Sequence, residues 1–169
     1  MRGIFLVMLI VASSWASAAG LPIGVVGLTL GMDQQAVLKK LKAEYTLIPV
    51  TGMPDLIFVS DKASRGDVIG SVAFRAGKLT TIERIWGYFD EHSNPLEVTR
   101  TLYAALESST SVAGAYASVD VSTRRIPGTE YQSIKFMFAG RSVVLGSSDG
   151  KSETSVRQVS VAESVFEKQ

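Results

Sequence analysis

Few residues of this chain have the chemistry to act on a substrate. There is one histidine, His92, beside Glu91 and close to Asp90, and there is no cysteine. A single imidazole excludes sites built on two or more histidines, and the missing thiols exclude thiolate catalysis, Cys-ligated zinc and iron–sulfur clusters. His92, Glu91 and Asp90 sit in a polar stretch just before a helix start, where adjacent residues rarely converge on a substrate, so a solvated loop is the simpler reading. Asp61 and Asp67 lack the Gly and Glu spacing of a calcium loop. Ser108, Ser109, Ser111, Ser147 and Ser148 lie in no Gly-x-Ser-x-Gly turn, and Gly24 to Gly31 lacks the Lys-Ser/Thr of a phosphate loop. No cofactor or metal is expected, and enzymatic activity is not. A hydrolase using carboxylates alone, from Asp90, Glu91 or Glu83, is the weakest alternative.

Binding residues are easier to nominate. Trp86-Gly87-Tyr88-Phe89 ends an apolar strand, and aromatics at a strand end either fill the core or anchor an interface. Arg124-Arg125 ends another strand, where the pair either meets an acidic partner or is simply solvated. With 17 Lys plus Arg against 16 Asp plus Glu, the chain has no field to hold a polyanion, and nucleic acid is not an expected partner.

The first residues carry a basic start at Arg2, an apolar run from Ile4 to Ala12, and the small-residue tail Ala16-Ser17-Ala18. This is the pattern of a secretory signal peptide over residues 1–18, with cleavage expected between Ala18 and Ala19. The apolar run is about half of the roughly 20 residues a spanning helix needs, so no stable membrane anchor is expected after cleavage. Residues 19–169 then form one periplasmic or extracellular domain, formally neutral and without disulfides.

The elements that must position these residues follow from periodicity. Asp33 caps a helix with Val37, Leu38, Leu41 and Tyr45 on its apolar stripe. Leu56 to Val59 reads as a buried strand, and Val68 to Arg75 with Leu79 to Trp86 as a hairpin turning at Ala76-Gly77. Asn94-Pro95-Leu96-Glu97 opens a second helix, with Leu96, Thr99, Leu102, Tyr103 and Leu106 on its buried side and the serine run from Ser108 ending it. An antiparallel meander follows, from Ala115 to Val165.

Ser71 to Lys78 and Ser133 to Arg141 share Ser, a β-branched residue, Phe and Ala-Gly-basic. Either a helix–hairpin unit is duplicated, as halves 27–89 and 94–165, or glycine turns impose the likeness. Gly31-Met32-Asp33 with the Val37-Leu38 stripe, followed by Val72 to Leu79, resembles the SmpA/OmlA group of small periplasmic domains and the β-lactamase-inhibitor-protein-like fold. Asp33 stands where that group has Thr, and its cysteines are absent. The resemblance implies helices packed on an antiparallel sheet and a protein that binds other proteins.

The expected architecture is therefore α+β, with two helices packed on one face of an antiparallel sheet of about six or seven strands. The expected function is a non-catalytic secreted or periplasmic protein-binding module, of the envelope-assembly or inhibitor type. Its tentative binding residues are Trp86, Tyr88, Phe89, Arg124 and Arg125, and its partner is another extracytoplasmic protein. The alternative is a carrier of a small apolar ligand or lipid in a cleft between sheet and helices.

Overall fold

Gly20 to Thr29 forms a hairpin. In the computed structural model, which describes residues 20–63, 66–150 and 157–167, β1 (Gly20–Ile23) and β2 (Val26–Thr29) pair antiparallel around a turn with Gly24 at φ 54°. This ribbon buries Leu21, Ile23 and Leu28. The expected leader, residues 1–18, lies outside the described residues.

Asp33 caps α1 (Gln34–Glu44), accepting from the Gln35 amide at 3.0 Å, and the helix buries Val37 and Leu41. It ends before Tyr45, which the helical stripe had included. Tyr45 instead opens β3 (Tyr45–Val50), and its hydroxyl accepts from the Val25 amide at 3.0 Å, tying the ribbon's turn to the sheet. There follow β4 (Met53–Asp61), β5 (Val68–Arg75) and β6 (Lys78–Phe89). β5 and β6 meet at Ala76-Gly77, both at positive φ.

Asn94 then caps α2 (Pro95–Ala113), with Pro95 in the first turn, and β7 (Ser118–Ile126), β8 (Thr129–Phe138), β9 (Arg141–Gly150) and β10 (Gln158–Phe166) complete the chain. The serine run does not end α2; the helix continues through Ser108 to Ser111. Its inward residues are Val98, Leu102, Ala105 and Ser109, while Leu96 and Tyr103 are exposed.

The expected α+β architecture, with two helices on a sheet of six or seven strands, is overturned in favour of a mostly-sheet fold. Eight strands form one antiparallel sheet in the order β3-β4-β5-β6-β10-β9-β8-β7, beside the separate two-stranded ribbon, so the molecule is dominated by strands. Two elements account for the miscount: β3 begins inside the helical pattern, and β1–β2 is too short and glycine-rich to show alternation. The repeated unit is also not a helix plus a hairpin. Each helix precedes a four-stranded meander, and the two meanders join at the β6–β10 seam. The similar segments at Ser71 and Ser133 lie in the third strand after α1 and the second after α2, so they do not occupy equivalent positions.

Two hydrophobic clusters lie on one side of the sheet. Val37 and Leu41 of α1, with Leu21, Ile23 and Leu28, pack on Ile57, Val59, Val72, Phe74, Leu79, Ile82 and Val165. Ala105, Leu102 and Leu106 of α2 pack on Phe89, Phe136, Phe138, Val143 and Val161.

Candidate functional site

Strand alternation sorts the sheet residues onto two faces. Ile82, Arg84, Val161, Glu163, Val165, Arg141 and Val143 share the face that carries the helices, as their cross-strand pairs require. Between the two clusters this face holds charge. Glu163 is fully buried at the seam and accepts from Arg84 Nη2 at 2.6 Å, Ser109 Oγ at 2.7 Å, Trp86 Nε1 at 3.1 Å and Arg141 Nη1 at 3.2 Å, with Ser108 Oγ at 3.5 Å. Arg141 also donates to the Gly20 carbonyl at 2.7 Å. One carboxylate thus ties β10 to β6, to β9, to α2 and, through Arg141, to the ribbon.

Trp86 belongs to this network. The register between β6 and β10 slips at Val161/Ala162, leaving Trp86 as the extra residue of a bulge, which aims its indole N–H at Glu163. The Arg84 guanidinium stacks over its ring at 4.0 Å. Phe89 is buried against α2, whereas Tyr88 points the other way and is exposed. The four-residue aromatic segment is therefore split: Phe89 is buried, Trp86 half-buried and Tyr88 exposed. Arg124 and Arg125 lie on exposed β7, with Arg125 paired to Glu130 at 2.7 Å. They are not gathered with Tyr88, which lies on β6 across the sheet. Glu163 was missed by sequence reasoning, although a lone carboxylate at an inward position between Val161 and Val165 is a readable signal.

His92 is exposed, 3.7 Å from Glu91, and its neighbour Asp90 accepts from Ser93 Oγ at 2.9 Å and the His92 amide at 3.0 Å. These hydrogen bonds, the Ser93 hydroxyl foremost, hold the Asp90 carboxyl below its ordinary range. The cluster shapes the turn into α2. Among the described residues no group of three or more His, Asp or Glu is placed to hold a metal ion, and no helix is long and apolar enough to cross a membrane.

The opposite face of the sheet is different. Among the described residues neither helix nor the ribbon covers it; their buried side chains all join the clusters on the first face. It presents Ile48, Phe58, Thr81, Ile85, Tyr88, Val144, Met137 and Tyr131, with Lys135 and Glu83 as central charges. A depression of about 400 Å³ runs past Thr81, Lys135, Met137 and Phe166, and another of about 540 Å³ borders Ile85 and Tyr88.

Burial raises the Glu83 carboxyl above its usual value, against the lowering effects of Ser164, Ser71 and Lys135. The same burial, then the charges of Glu83 and Asp67, raises the Tyr88 phenol. A carboxyl whose folded pKa is raised favours folding only while protonated. Its destabilisation is absent below the unfolded value near 4.5, grows as pH rises through the folded value, and is complete above it. E83Q is therefore expected to melt higher than the parent chain at pH 7, with the gap closing below pH 4.5; thermal denaturation at the two pH values checks both signs.

Compared with known proteins, the chain matches no family model, no curated protein and no solved structure.

Proposed function

We propose that this chain is a non-catalytic protein-binding module, exported to the periplasm or the extracellular space, whose partner is another extracytoplasmic protein. The observation that carries this reading is the bare face of the eight-stranded sheet, with its half-buried apolar side chains and exposed Tyr88 and Tyr131. An uncovered sheet face of this composition is the kind of surface that large, rigid aromatics turn into an interface. Nucleic acid is not the partner, because the charge balance supplies no attraction for phosphate. The space between α2 and the sheet is filled by the side chains of the second cluster, which favours the binding reading over a carrier of apolar ligand.

The test is affinity capture from an envelope extract, with the captured protein identified and its affinity measured in purified form. Y88A and Y131A, both exposed on the bare face, are each expected to weaken that complex about tenfold or more while leaving the melting temperature nearly unchanged. W86A is no test of binding, since it opens the core. A purified partner that binds both tyrosine variants with parental affinity would remove the bare face from the interface.

A further inference from the structure

The two edges of the sheet are built differently. At one end β3 contains Pro49 and a register slip at Pro49/Val50, features that blunt an edge against pairing with another chain. At the other end β7 runs nine residues without proline, lysine or register slip, and all nine are exposed, Val121 and Ile126 among them. Such an edge is a template for a further strand.

The direction of its free amides follows from the turn. β7 and β8 are joined by the two residues Pro127-Gly128, with Ile126 opposite Thr129. In a two-residue hairpin the closing pair is hydrogen-bonded, and bonded pairs alternate along the ladder. Ser118, Asp120, Ser122, Arg124 and Ile126 therefore direct their backbone groups to β8. Val119, Val121, Thr123 and Arg125 direct theirs to the open edge.

We propose that this edge pairs with the same edge of a second copy, antiparallel about a two-fold axis at Ser122. Only registers that place odd-numbered residues opposite odd-numbered ones match donors to acceptors. Among those, the one centred on Ser122 overlaps the whole of Ser118–Ile126 and forms about eight backbone hydrogen bonds. It also sets each Asp120 opposite an Arg124 of the other copy in non-hydrogen-bonded pairs, where side chains approach most closely. Centring on Asp120 or Arg124 would oppose like charges, and centring on Val121 or Thr123 would leave both unmatched. Within one chain neither residue takes part in an ion pair among the described residues. The product is a two-fold dimer with one sheet of twice eight strands and the two bare faces on the same side.

Sedimentation equilibrium over a concentration series of the purified chain tests this. The interface is smaller than the standard size, so dissociation on the order of 10 μM is expected. D120R and R124D each create two like-charge contacts and are expected to weaken self-association about tenfold or more. An equimolar mixture of the two variants, and the double variant D120R/R124D, restore opposite charges and are expected to regain it. V121P blocks the edge without removing a bond to β8 and is expected to be folded and monomeric. At high concentration, amide exchange should slow at Val119, Val121 and Thr123 of the parent chain and not at Val119 and Thr123 of V121P. A parent chain that stays monomeric overturns the proposal, including the case in which a foreign extended peptide alone protects these amides. So does undiminished dimerisation of folded V121P, or a charge-variant mixture that associates no better than its components.

Discussion

Replacing Glu163 with alanine is expected to destabilise the fold by about 3–5 kcal/mol, because removing one partner of a buried ion pair leaves uncompensated charge behind. Here the loss strands two cations, Arg84 and Arg141, together with the Trp86 indole and the Ser109 hydroxyl. In a domain of this length that corresponds to a fall in melting temperature of roughly 10 °C or more. E163Q keeps the shape and loses the charge, so it is expected to fall between alanine and the parent chain. R84A is expected to cost less, since Arg84 is partly solvated and its Nε has no hydrogen-bond partner among the described residues. The double variant E163A/R84A should be less destabilised than the sum of the singles, by about 0.5–3 kcal/mol, because the pair interacts directly. Chemical denaturation of the parent chain and the four variants measures each quantity. A cost below about 1 kcal/mol for E163A, with additive singles, would mean that the seam is held by its apolar flanks alone.

The buried network also explains which parts of the fold were legible in the sequence. The caps at Asp33 and Asn94 and the turn at Ala76-Gly77 were readable because each is decided by neighbouring residues. The course of α2 beyond Ser108 was not. Serines at the end of an apolar stripe signal a terminus, and here Ser108 and Ser109 instead meet a carboxylate 55 and 54 positions away. Tyr45 misled in the same manner: its place on the helical stripe was satisfied equally well by β3, whose pairing with β4 is a tertiary fact. The candidate site was partly legible. Trp86, Tyr88 and Phe89 were singled out as one group, but a bulge at Trp86 and strand alternation after it send the indole to Glu163, Phe89 to α2 and Tyr88 to the bare face. A pattern of residue types cannot show a one-residue slip between strands, and that slip decides which ring reaches solvent.

The ribbon offers a second large effect, with an internal control. Gly70 on β5 pairs with Arg84 on β6, and Ile23 of the ribbon lies directly over it. A Cβ added at Gly70 would overlap the Glu83 carbonyl oxygen and stand 3.2 Å from Ile23 Cδ1. Neither neighbour has room to move, since the carbonyl belongs to a central strand and Ile23 is fully buried. G70A is therefore expected to cost about 3 kcal/mol, the upper part of the range for overpacking a close-packed site. It should also loosen the ribbon, seen as faster amide exchange at β1 and β2. Gly27, on β2, has nothing within 4 Å of its added Cβ and no positive φ. G27A removes only unfolded-state freedom and is expected to stabilise by about 0.4–1 kcal/mol. Opposite signs from one chemical change, an added methyl group, would locate the constraint in the contact between ribbon and sheet; equal costs at both glycines would place it in general strand propensity instead.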